Sequence, residues 1–206
     1  MAMGDNVEYF GYIFYFIFSF ISTPAYAAAN IDVSSLNLIT MLQNLSTQIP
    51  MLMRLITAFA YVLGMIFIFI ALVKLKHFGE SRTMMSQEHG MMGPIIYFVI
   101  GTALLYLPSS VQVGMSTFWR DPSPYAYETV GTDQWSLFMG DIFLIVQLIG
   151  TISFIRGLVI LSKLGGHGGQ EGLGKGITHI IAGIFCINIY QFVQVVASTF
   201  GIQVNL

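Results

Sequence analysis

Four stretches of this chain are apolar for long enough to cross a bilayer, and polar or turn-forming residues separate them. A helix needs about 20 apolar residues to span a hydrocarbon core of roughly 30 Å. Leu55 to Val73 meets that length, with Arg54 before it and Lys74 and Lys76 after it. Ile95 to Leu107 falls short before Pro108, but the weakly polar run Ser109 to Gly114 extends it. Leu137 to Leu161 is the third stretch and Ile177 to Val196 the fourth. The pattern predicts four transmembrane helices, in which an internal proline is tolerated when neighbours satisfy the freed carbonyl.

Two further segments precede the first span. Tyr9 to Ile21 is a short aromatic run followed by Ser22, Thr23, Pro24 and then Ala25-Tyr26-Ala27. A short apolar core, a helix-breaking proline and small residues at the −3 and −1 positions predict a secretory signal peptide, residues 1–27. Asp5 and Glu8 stand where basic residues are usual, so a retained fifth helix is the alternative. In residues 28–50, Ile31, Leu38, Leu42, Leu45 and Ile49 recur at helical spacing among Asn, Ser, Thr and Gln. That predicts an amphipathic helix lying on the outer leaflet or on a protein partner.

Composition agrees with the pattern. Only 9% of the 206 residues are charged, 55% are hydrophobic and mean hydropathy is +0.76, whereas a soluble domain carries about 25% charged residues. A net charge of −2 offers no basic stripe for nucleic acid. Cys186 is the only cysteine, so no intrachain disulfide forms, and it reads as a small buried hydrophobe. Of the eight basic residues, Lys74, Lys76, Arg82, Arg156, Lys163 and Lys175 lie in or beside the first and third connections. Those connections are therefore expected in the cytoplasm. The middle connection holds Asp121, Glu128 and Asp133 between Trp119 and Trp135, two anchors for the outer interface. Both mature termini are then expected outside.

The chain also resembles itself. Residues 101–118 align without gaps to residues 183–200, an offset of 82, with seven of eighteen positions identical. The identities include Val111-Gln112-Val113 with Val193-Gln194-Val195 and Ser116-Thr117-Phe118 with Ser198-Thr199-Phe200. Upstream the offset becomes 86: Gly64 matches Gly150, Leu72-Val73 match Leu158-Val159, and Gly79 matches Gly165. A duplicated hairpin follows. Each copy enters and leaves on the same side, so the repeats are parallel, unlike the inverted repeats of many secondary transporters. The expected fold is an all-α membrane protein, four transmembrane helices as two tandem parallel-repeat hairpins after a cleavable signal peptide. Hairpin 1 covers residues 51–118, an outer loop 119–134 and hairpin 2 residues 135–206.

Candidate chemistry is sparse. Asp141 and Arg156 share the third span; Asp141 reads either as part of a proton or ion path or as an interfacial carboxylate paired with Arg54 or bonded to the start of its helix. Asn188, Gln191 and Gln194 fall at i, i+3 and i+6 of the fourth span, with Gln112 at the equivalent end of the second. Such amides glue helices together or line an aqueous passage. Gly140, Gly150, Gly157, Ala182 and Gly183 permit close helix approach. The loop Gly165–Gly176 fits GxxxxGK at Gly169, Gly174 and Lys175, but Gly176 stands where Ser or Thr should hold magnesium and no strand precedes it. It reads as a tether or cytoplasmic docking loop presenting His167, Glu171 and Lys175. The histidines show no metal-ligand spacing, and no catalytic set, cofactor or metal is expected.

The leader, the two hairpins, the loop GGHGGQEGLGKG and the repeated VQVxxSTF together resemble the IcmC/DotE family of type IVB (Dot/Icm) secretion systems, with the related IcmD/DotP-like small subunits as the rival. The resemblance implies a Gram-negative inner membrane, other secretion-system subunits as partners, and support of effector export or conjugation without enzymatic activity. A small transporter or ion channel using Asp141 and the Asn188/Gln191 face is the alternative function. The layout of one hairpin also matches that of secretion pilins, so a pilin-like homo-oligomer forming a ring or filament is a third expectation.

Overall fold

The computed structural model describes residues 38–82, 92–124, 134–165 and 171–201. The expected leader, the start of the 28–50 segment, Glu128, Asp133 and His167 lie outside them. Every described element is helical: α1 Leu38–Arg82, α2 Met92–Leu105, α3 Leu107–Phe118, α4 Gln134–Ser162, a short 3-10 turn Lys163–Gly165, α5 Glu171–Ile187 and α6 Ile189–Thr199.

α1 has 45 residues, or about 68 Å at 1.5 Å per residue. The sequence divides it into an amphipathic piece ending at Pro50 and a separate span; the structure runs straight through Pro50 as one helix. A proline removes one helical hydrogen bond, and the apolar stretch that follows continues the helix past that defect. α1 buries Ala60, Phe67 and Ala71 and exposes Val62, Met65, Phe69 and Leu72. α2 likewise exposes Ile95, Phe98 and Val99, and α4 exposes Ile149 and Ile152. Two helices, within α1 and α4, are long and apolar enough to cross a membrane, and the number rises to four if each bent pair counts as one span.

Those bends are the main departure from the sequence reading. α2 and α3 meet at 97°, and α5 and α6 at 85°, so neither the second nor the fourth apolar stretch is a straight helix. At the first bend Pro108 cannot donate to a carbonyl four residues back, and its ring opposes a continuous helix. Tyr106 takes φ −104° and ψ 43°, and the Ser110 hydroxyl reaches back across the corner to the Ala103 carbonyl at 2.8 Å. Ser110→Ala should leave that carbonyl unpaired and cost about 1 kcal/mol, read as a lower Tm in detergent; an unchanged Tm would mean that backbone contacts alone hold the corner. The second bend has no proline. Asn188 takes φ −108° and ψ 43°, nearly the same corner at the offset of 82. The bracketing hydrogen bonds recur as well: Tyr106 N–H to Thr102 O and Ser110 N–H to Tyr106 O, then Asn188 N–H to Ile184 O and Phe192 N–H to Asn188 O.

Glycines set the distance between paired helices. A Cβ on Gly64 would lie 2.8 Å from the Gly101 carbonyl oxygen; one on Gly150 would lie 2.9 Å from that of Gly183. Gly157 and Gly176 form a second close approach between α4 and α5. The core combines α1, α2 and α3 with α4 and α5: Phe67, Ile100, Leu104, Val111 and Met115 pack with Phe154, Leu158 and Ile184.

Candidate functional site

Polar side chains gather inside this apolar bundle at the corner between α5 and α6. Asn188 is fully buried there, and its Nδ2 donates to Gln191 Oε1. Gln191 Nε2 donates to the Asp121 carbonyl at 2.9 Å and to Ser123 Oγ at 2.6 Å, while its Oε1 also accepts from the Ser123 N–H at 3.4 Å. From α4, the buried Gln147 donates through Nε2 to the Pro124 carbonyl, and Thr151 Oγ1 donates to the Gln147 carbonyl at 2.9 Å. The segment following α3 is thus fastened to α4 and α6 together. Beside it Trp119 packs edge-on against Phe185 at 5.3 Å, and Phe185 meets Phe192 at 5.1 Å.

This corner brings together Asn188 and Gln191 but not the other candidates. Gln194 is exposed on α6 and Gln112 on α3. The predicted stripe of three amides is broken because Asn188 sits at the turn, not within a continuous helix. Asp141 is half-buried on α4; its Oδ2 is shielded and has no hydrogen-bond partner. It does not pair with Arg54, which is exposed on α1; further along α1, Lys76 and His77 pair with Glu80. The expected docking loop is shorter than its glycine content suggests. Glu171 opens α5, and Lys175 is exposed on its second turn. Gly176 belongs to helix packing, since a Cβ there would run into Leu161.

Gln147 lies outside the set of amides that helical spacing singles out, although a lone amide within Leu137–Leu161 is a visible signal. Its Oε1 and the Oδ1 of Asn188 have no hydrogen-bond partner. The corner therefore offers two buried amide oxygens that can each accept one more hydrogen bond. Among the described residues no three His, Cys, Asp or Glu side chains converge as metal ligands. Comparison with family models, curated proteins and solved structures finds no match. Fold and site define an all-helical chain whose long apolar helices suit a membrane and whose polar groups tie its own segments together.

Proposed function

We propose that this chain is a non-enzymatic structural subunit of a type IVB secretion or conjugation apparatus in a Gram-negative inner membrane, as its resemblance to the IcmC/DotE family implies. It packs against other inner-membrane subunits and carries its basic connections in the cytoplasm and its mature termini in the periplasm. The observation that carries the structural role is the fate of the amides. A conducting pathway needs Asn188 and Gln191 turned towards water, but Asn188 is buried and Gln191 is spent on the 121–124 segment. Hydroxyls are treated alike: Thr57, Thr102 and Thr178 donate to carbonyls of their own helices, which suits a chain that meets lipid on its outer faces.

The reading includes duplication of a single unit, a long helix followed by a short returning helix and a right-angle arm. Support comes from the recurrence of both corners, of the Gly64–Gly101 and Gly150–Gly183 approaches, and of the arm ends. Ser116 Oγ and Thr117 Oγ1 both donate to the Val113 carbonyl at 2.9 Å; Ser198 and Thr199 donate to the Val195 carbonyl at 2.9 and 2.8 Å.

The test is affinity purification of the full chain from native membranes, with mass spectrometry, alongside export assays of Asp141→Asn and Asn188→Leu. A structural subunit should co-purify with other inner-membrane secretion subunits in fixed ratio. Asp141→Asn should keep export within about twofold, since no ion pair holds Asp141 among the described residues, whereas Asn188→Leu should lower abundance and export in proportion. Full abundance with abolished transport in either variant would sink the structural reading in favour of a pathway.

A further inference from the structure

The two hairpins are alike in backbone but unlike in what covers them, and the difference has a direction. Along one face, the front, matched positions are buried in the second hairpin and open in the first. Asn188 is 0% exposed and Tyr106, its match, is 68%; Thr151 is 8% exposed and Met65, its match, is 53%. Gln147 and Leu158 are buried where Tyr61 and Leu72 are exposed. The reason is that the first hairpin covers this front face of the second: Gly114 of α3 sits on Ile184 of α5, Phe118 and Trp119 stack on Phe185, and the 121–124 segment bonds Gln147 and Gln191, the partner of Asn188. Nothing among the described residues covers the front of the first hairpin in the same way.

The covering surface also has a match that is free. In α3 the face that meets α5 is marked by Gly114 and Phe118. The match of Gly114 on α6, Val196, is exposed, and Phe200 just past the end of α6 is 75% exposed where its match Phe118 is 46% exposed. Elsewhere on the back of the second hairpin, Ala182 is exposed and Ile189 and Val193 are half-buried, where Ile100, Leu107 and Val111 of the first are buried. One chain therefore shows an open front at one end and an open back at the other, both of the kind that meet in its interior.

We propose that copies of this chain associate head to tail, the α6 arm and back of the second hairpin of one copy docking on Tyr61, Met65, Leu72, Thr102 and Tyr106 of the next and repeating the internal joint between hairpins. The occupant is a second copy because the chain already contains one example of the contact, with partners in register. Such a heterologous interface closes into a ring or extends as a filament according to the rotation between hairpins. The inference rests on the membrane reading and the duplication proposed above.

The internal contact Gly114–Ile184 translates to Val196 of one copy against Thr102 of its neighbour, which fixes the experiment. In a Cys186→Ser background, Val196→Cys and Thr102→Cys are introduced into separately tagged full chains, co-expressed, and oxidised in native membranes. Mixed pairs should cross-link and each single variant alone should not, while a chain carrying both cysteines should give a ladder of dimers, trimers and higher species. Adding Tyr106→Lys, which places a charge in the joint, should reduce the ladder at least tenfold. Cross-linking of Thr102→Cys copies to one another would mean a two-fold interface and overturn the proposal. So would monomers alone in chains that resist alkaline extraction. Chains released by alkaline extraction would instead overturn the membrane reading on which it rests.

Discussion

Gly183→Leu is expected to abolish accumulation of folded protein, the largest effect of any single substitution in the bundle. A Cβ at this position would lie 2.8 Å from the Gly150 carbonyl oxygen and the Phe154 nitrogen and 3.0 Å from the Phe154 Cα. All three are backbone atoms of α4, so no side-chain rotation relieves the clash, and α4 and α5 must move apart. Overpacking a well-filled core costs typically about 1–3 kcal/mol and occasionally more; here a leucine side chain must be housed in addition to its Cβ. Separation would also open the contacts of Phe154 and Ile184, which join α4 and α5 to α1, α2 and α3. The control is Gly174→Ala on the same helix, where nothing lies within 4 Å. Alanine there should be neutral or stabilise by up to about 1 kcal/mol through helix propensity. Steady-state level in membranes and Tm in detergent read both. A Gly183→Leu variant that melts within a few degrees of the parent would show that α4 and α5 do not meet through these glycines.

How far the sequence led depended on what kind of information each feature carries. The long spans in α1 and α4 are a matter of apolar length, which a single chain displays directly. Close approaches at Gly150, Gly157 and Gly183 were legible because small residues in a membrane helix have few other uses. The corners were not. Pro108 was visible, but prolines occur in continuous membrane helices, and only packing decides whether the chain bends. At Asn188 no breaking residue exists at all; the bend is held by Asn188 bonding to Gln191 and by Gln191 reaching a segment almost seventy residues away, a partner that local pattern cannot supply. The glycine-rich connection misled in the opposite sense. Gly172, Gly174 and Gly176 suggest a loop, but they lie in α5, where Gly176 lets Leu161 come close.

Gln191→Leu should be more destabilising than Asn188→Leu, and the pair should be strongly non-additive. Gln191 bonds four groups: the Asp121 carbonyl, Ser123 Oγ, the Ser123 N–H and Asn188 Nδ2. Its removal frees the 121–124 segment on that side and deprives Asn188 of its partner. Because Asn188 Oδ1 already has none, the whole carboxamide would be left buried without a hydrogen bond, at a cost of about 1–3 kcal/mol. Asn188→Leu avoids that penalty, since it removes the carboxamide and substitutes an apolar group in an apolar place. Gln191→Leu should therefore cost at least about 1 kcal/mol less in an Asn188→Leu background than in the parent, a coupling well above the 0.3–0.5 kcal/mol within which independent sites add. Unfolding of the four chains in mixed micelles measures it. Additivity would mean that Asn188 Nδ2 finds another acceptor once Gln191 is gone, either the freed Ser123 hydroxyl or water that enters the corner. A corner hydrated in that way is what a conducting pathway needs, so strong coupling favours a subunit held together by these amides over one that passes something along them.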